Sequence, residues 1–397
     1  MQVSTADRLS AITESATLKV GANADRMRRE GIDVISLGAG EPDFNTPEHA
    51  KAAAVEALEA NFTRYTAASG ILELREAVAA RYRRDYGIEL EAKDVSMAAG
   101  GKQALFNPAL ALYNPGDEVI THSPYWPTIV EQIKLASAKP VIVKTQSEDG
   151  FAIHADPIID AITSRTKAII INSPANPTGA LIEESELARI ADAASKRGVW
   201  VIVDLCYEQL IYDKQAHNLA KVLFDRTRDR AVIAGSASKS YAMTGLRCGW
   251  TIGPPELIKA CNTILSHATS NVSSITQKAA LAALAGPQDE VTRMLNEYRV
   301  RRDNMHEWLT SHPGIKCVRP KGAFYLFPDI SGLFSPGGVN SSAQFAEELL
   351  NKEHVALTPG EAFDAQGYVR ISYATSPENL RESANRILRF AESIKPS

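Results

Sequence analysis

The 397-residue chain is too long for one small core and long enough for two domains that share a cleft. An apolar fraction of 45%, a charged fraction of 23% and a formal net charge of −4 describe an ordinary globular protein, and exclude one that tracks a nucleic-acid backbone. Cys206, Cys248, Cys261 and Cys317 lack metal-ligand spacing and are too few for a disulfide framework, so free thiols, no metal and a cytoplasmic location are expected.

Residues 1–30 carry acids early, no apolar segment of signal-peptide type, and one loosely periodic helix that reads as an arm. No apolar run in the chain reaches membrane-spanning length. Val34-Ile35-Ser36-Leu37 reads as a strand breaking into the Gly38-Ala39-Gly40-Glu41-Pro42 turn, where glycines let the backbone approach another group. Thr46-Pro47-Glu48 predicts a helix with threonine as cap and proline at its first position. A second helix is predicted from Gly70 through Tyr82.

From about residue 94 strands and helices alternate. Apolar runs at 95–98, 118–121, 141–143, 168–171, 199–203, 231–234 and 249–253 read as buried strands, with helices between most of them. This predicts an α/β fold: a mostly parallel sheet of seven-stranded type, sandwiched by helices. Ligands of such sheets collect at the carboxyl ends of the strands. Ser123-Pro124, Asn172-Ser173-Pro174, Asp204 and Ser236 all stand at such ends. Beyond Pro287 the texture changes to a long amphipathic helix (Val291, Met294, Leu295, Tyr298, Met305, Leu309), then Gly322–Phe327, a Gly/Ser/Pro-rich loop near 331–342, short strands and a last helix. The division expected is 1–45 as arm and part of a small domain, 46–287 as the large domain, and 288–397 as a smaller α+β domain.

The stretch Ser236-Ala237-Ser238-Lys239, with Arg247 eight places on, places a lysine just past a buried strand among small hydroxyl residues. Desolvation there lowers an amine's pKa and exposes its lone pair for imine formation. Ser236 and Arg247 supply a hydroxyl and a fork of donors that suit a phosphate.

Together with Gly38–Phe44, Asn172-Ser173-Pro174-Ala175-Asn176-Pro177-Thr178-Gly179 and Arg370–Ser376, these residues resemble the fold type I pyridoxal-phosphate enzymes, and more narrowly the class I aminotransferases of the bacterial aspartate aminotransferase kind. The resemblance runs nearly end to end. It implies pyridoxal 5′-phosphate as cofactor and a reversible ping-pong exchange between an L-amino acid, aspartate first, and 2-oxoglutarate. Lys239 would bond the cofactor and shuttle the proton, Asp204 would pair with the pyridine nitrogen, and Asn176 and Tyr207 would donate to the phenolic oxygen. Trp126 would stack on the ring. Gly101, Lys102 and Gln103, with Ser236, Ser238 and Arg247, would form the phosphate cup at a helix start. Tyr65 resembles a tyrosine that reaches the neighbouring subunit's phosphate, which implies a homodimer with shared sites. Arg370 would clamp the substrate α-carboxylate, helped by Asn176 and the backbone near Gly40. Pro124 and Pro177 become candidates for cis peptides, although trans is the general default.

Two departures stand out. Relatives usually read Asp-Glu-x-Tyr where this chain has Asp204-Leu205-Cys206-Tyr207, and Lys-Pro before Ser-Ala-Thr where it has Thr13-Glu14. The missing arm cation argues against a bulky dicarboxylate such as prephenate, and leaves Lys102 as the point charge for a distal carboxylate. The alternatives are an aminotransferase with an aromatic, prephenate or basic donor, a C–S lyase on the same scaffold, and a silent regulatory binding module.

Overall fold

The structure is a computed structural model that describes residues 5–213, 217–336 and 338–394. Among the described residues there are twelve strands: β1 (Ile35–Ser36), β2 (Val95–Ala98), β3 (Glu118–Ser123), β4 (Lys139–Lys144), β5 (Thr166–Asn172), β6 (Trp200–Asp204), β7 (Ala231–Ser236), β8 (Gly249–Ile252), β9 (Tyr325–Leu326), β10 (Val355–Ala356), β11 (Thr358–Pro359) and β12 (Val369–Ser372). Seven of them form one sheet in the order β2-β8-β7-β6-β5-β3-β4, in which only β8 runs against its neighbours. The mostly parallel α/β sheet expected from the sequence is therefore what the chain builds.

Successive residues of one strand enter different cores, as the pleat requires. Ile169 and Ile171 of β5, Val201 and Val203 of β6, and Ile233 of β7 join one apolar cluster. Ile170, Ile202 and Val232 join another. Helices cover both faces, which is why these strands are apolar throughout rather than alternating. Parallel pairing also brings Ser123, Asn172, Asp204 and Ser236, each the last residue of its strand, to one edge, with Asn172 in register with Asp204.

A second layer uses β11-β12-β9 as a small antiparallel sheet and β1 paired parallel to β10, so residues 35–36 join the C-terminal part of the chain. The helices Asp289–Thr310, Ser342–Glu353 and Pro377–Ser393 pack there around Tyr298, Phe324, Phe345 and Phe390. Gly337, within the Gly/Ser/Pro-rich loop, lies outside the described residues.

Some local expectations are corrected. The helix expected at Thr46-Pro47-Glu48 is Glu48–Glu59, with Pro47 at the cap position and not inside the helix. Thr46 does not cap it: its hydroxyl donates to the Ala242 carbonyl at 2.7 Å, a tertiary bond that takes precedence over capping. The second helix runs Leu72–Tyr86, past the expected end, because its first glycine in left-handed conformation is Gly87. The Gly322–Phe327 run contributes only a two-residue strand. The Ser123-Pro124 and Asn176-Pro177 bonds are cis, and so is Ser173-Pro174, against the general trans default. Among the described residues no helix is long and apolar enough to cross a membrane, and no group of three or more His, Cys, Asp or Glu is placed to hold a metal. All four cysteines are free thiols.

Candidate active site

Lys239 sits in a one-turn helix, Ala237–Ser240, directly after β7. Ser236 starts that turn by accepting from the Ser238 amide at 3.0 Å, and its hydroxyl also bonds Ser238 Oγ at 2.8 Å. The chain then turns back into β8 through Ala242 and Arg247, both at positive φ. That path aims the Arg247 guanidinium at the turn before the helix Gly101–Leu112, where Nη2 donates to Ala99 O (3.1 Å), while Nη1 donates to Thr244 O (2.8 Å) of its own loop. The turn needs its two glycines. A β-carbon on Gly100 would lie 2.4 Å from Arg247 Nη2, and one on Gly101 would lie 2.4 Å from Cys206 Sγ.

The Lys239 amine donates to the Gly40 carbonyl and lies 5.8 Å from the centroid of the Tyr207 ring and 5.7 Å from that of Phe324. Burial pulls its pKa down to about 8; Arg370 and Arg247 push the same way, against Cys206 and Glu41. Asp204, at the end of β6, is buried and accepts from the Cys206 amide at 3.0 Å. Burial raises its pKa, opposed by the bonds from Cys206 and the charge of Lys239.

Facing this floor, Arg370 is 2% exposed and donates from Nη1 to Asn176 Oδ1 (3.0 Å) and from Nη2 to Gly38 O (2.7 Å). Its Nε is buried without a partner among the described residues. The guanidinium rests on the rings of Tyr325 (4.5 Å) and Phe363 (5.0 Å). Tyr207 and Tyr325 share a hydrogen bond of 2.7 Å between their hydroxyls. Behind Tyr207, the buried pair Arg81–Glu208 (2.6 Å), with the Tyr82 and Tyr86 hydroxyls on the same carboxylate, ties the turn after β6 to the helix Leu72–Tyr86.

The chain thus gathers Lys239, Asp204, Tyr207, Asn176, Arg370, Gly40, Ser236, Ser238, Arg247 and Gly101. Lys102 stands exposed at the start of the helix with its ammonium 5.6 Å from the Trp126 ring centroid; partial desolvation of that ammonium first, then the charge of Arg247, lower its pKa. The Gln103 side-chain amide accepts from Ala99 N (2.6 Å) and donates to Thr269 Oγ1 (3.0 Å), so it braces the turn and leaves the backbone of the helix start to face a ligand. Tyr65 is not brought to the site by its own chain and stands 89% exposed. The sequence reading missed Tyr325, Phe324, Phe363, Gly100 and Cys206. Gly100 was legible as the glycine before a helix start; Tyr325 carries no local signal, because its partner is 118 residues away.

Residues 32–387 match the model of the family "Aminotransferase class I and II". The chain is 40% identical over 387 residues to the aspartate aminotransferase of Bacillus subtilis, covering 98% of each chain. It is 41% identical over 394 residues to the aspartate/prephenate aminotransferase of Cereibacter sphaeroides, again covering 98% of each. Among solved structures, the aspartate aminotransferase of Thermus thermophilus with maleate superposes with a TM-score of 0.91 at 41% identity, covering 98% of this chain and 100% of that one.

Proposed function

The chain belongs to the class I and II aminotransferases, and from that premise we propose that it moves an amino group between an L-amino acid and a 2-oxo acid, with aspartate and 2-oxoglutarate as the preferred pair. Pyridoxal 5′-phosphate is the family's cofactor, and when bound it supplies an aldehyde that condenses with amines and a ring that withdraws electrons from the substrate α-carbon. The residues present fit it. Lys239 offers a desolvated amine and Asp204 a buried carboxylate for the ring nitrogen. The turn at Gly100–Gly101, which has no room for β-carbons, forms with Arg247 and Ser236 a cradle for the phosphate. Trp126 supplies an aromatic face, and Asn176, whose Oδ1 already accepts from Arg370, keeps Nδ2 to donate.

Each side chain then has a task. Arg370 binds the α-carboxylate through its fork, including the Nε that lacks a partner. Lys239 Nζ, whose pKa burial pulls down to about 8, takes the proton from substrate Cα and returns it on the way back. Residues 38–40 and the small β9–β12 sheet cover the reacting atoms and exclude water. Lys102 supplies the charge for the distal carboxylate. The preference for aspartate rests on that cation, on the relative from Bacillus subtilis, and on the Thermus structure with maleate, itself a four-carbon dicarboxylate. Prephenate is disfavoured: the arm offers no cation at Thr13, whose amide and hydroxyl donate to Glu131 at 3.1 and 3.2 Å.

The division into 46–287, 288–397 and an arm of 1–45 belongs to the same reading, as does a cytoplasmic location, supported by the free thiols. So does a homodimer in which Tyr65 of the partner subunit completes the phosphate site, supported by the exposure of Tyr65. The observation that carries the function is the buried Lys239 amine facing the Arg370 clamp. A donor-by-acceptor activity matrix tests it: aspartate with 2-oxoglutarate gives the highest kcat/KM. Pyruvate released from cystathionine without any oxo acid would point to the lyase instead.

A further inference from the structure

Tyr325 stands on β9 in register with Ser372 of β12 and is 1% exposed. Its ring lies under Arg370, 4.5 Å from the guanidinium carbon. Its hydroxyl is 2.7 Å from that of Tyr207, and a β-carbon on Gly40 would come within 2.7 Å of it. One side chain therefore touches the carboxylate clamp, the phenol beside Lys239, and the segment whose carbonyl receives the Lys239 amine.

A proton count fixes the direction of the shared bond. A phenol has one O–H to donate. If Tyr207 gives its proton to the cofactor oxygen, it cannot also give it to Tyr325. The proton between the two hydroxyls must then come from Tyr325. Burial raises both phenols, so both keep their protons at neutral pH. Accepting a hydrogen bond polarises the acceptor's own O–H and strengthens what it donates next.

We infer that Tyr325 is a positioning residue for the reaction, acting through Tyr207: its hydroxyl aims and strengthens the Tyr207 O–H toward the cofactor oxygen next to the Lys239 nitrogen. The inference rests on the functional reading above. Its consequence is electrostatic. A stronger donor at that oxygen withdraws negative charge from beside the nitrogen, which then loses its proton at lower pH. The other charged or titratable groups facing Lys239 are Asp204 at the end of β6, Cys206 just after it, Glu41 on the Gly38–Phe44 segment, Arg247 and Arg370. Tyr325→Phe changes none of them and keeps the ring beneath Arg370.

The test is the pH midpoint of the visible absorbance of the cofactor-loaded enzyme, which reports the proton on the Lys239 nitrogen without turnover. Tyr325→Phe should raise that midpoint by about half a pH unit or more. It should lower kcat while KM for the amino donor stays within about twofold, because the clamp is intact. In a Tyr207→Phe background the same substitution should move the midpoint hardly at all. An unchanged midpoint in Tyr325→Phe, or an equal shift with and without Tyr207, overturns the relay. Cofactor content and thermal midpoint of each variant verify that it is folded and loaded. A wild-type enzyme with no pH-dependent visible band on Lys239 would instead remove the functional reading, and the relay with it.

Discussion

The two walls of the site are built in different ways. On the sheet side, polar groups are fixed by neighbours in the chain: Ser236 and Ser238 bond each other two residues apart, and Asp204 holds the amide two residues on. On the opposite side the contacts join residues far apart in sequence, with Lys239 reaching Gly40 across 199 residues and Arg370 reaching Gly38 across 332. Strand register and a turn suffice to build the first wall. The second exists only once the whole chain has folded. The sheet wall should therefore decide whether chemistry happens, and the facing wall which substrate is held and how well.

The widest separation between the walls comes from Lys239→Ala. It should cut half-transamination by at least about 10³-fold, because the proton carrier is gone, while the thermal midpoint barely moves. Arg370→Ala strikes the facing wall: KM for the amino donor should rise about 100-fold with cofactor binding retained, since a bidentate clamp is lost and Asn176 loses its partner. Loss of bound cofactor in Arg370→Ala would erase the distinction between the walls.

A pH series sharpens the same contrast. Burial depresses the Lys239 pKa to about 8 in the cofactor-free protein, so its neutral, reactive fraction grows as pH rises toward that value and levels off above it. The rate at which added pyridoxal phosphate develops colour should climb about tenfold per pH unit below the midpoint and then flatten. A rate still climbing well past pH 9 would mark an ordinary exposed lysine. The smallest effect is expected from Lys102→Gln, which should raise KM for aspartate several-fold, up to about tenfold, and leave KM for alanine unchanged, because only the distal carboxylate meets that charge.

The same contrast explains what could be read without coordinates. Apolar runs such as Ala168–Ile171 and Val199–Val203 announce buried parallel strands, and a polar residue closing each run marks the ligand edge. The strand end at Asp204 and the desolvated position of Lys239 were legible on those grounds, and the resemblance gave Asp204 its role and added Asn176, Tyr207 and Arg370. Thr46 was misread because a capping threonine and one bonded to a distant carbonyl have the same local sequence. Gln103 lies beside the Gly100–Gly101 turn and its side-chain amide braces that turn, which nothing in Gly-Gly-Lys-Gln distinguishes from a ligand-facing use. Tyr325 was invisible for a stronger reason. Its role is a meeting of β9, Tyr207 and Arg370, set by packing between distant parts of the chain.

The most direct measurement is reductive trapping. Borohydride reduction of the yellow enzyme, followed by peptide mapping, should place the phosphopyridoxyl group on the ε-amine of residue 239 and bleach the visible band. A label on any other lysine, or a cofactor that washes away after reduction, would contradict the account.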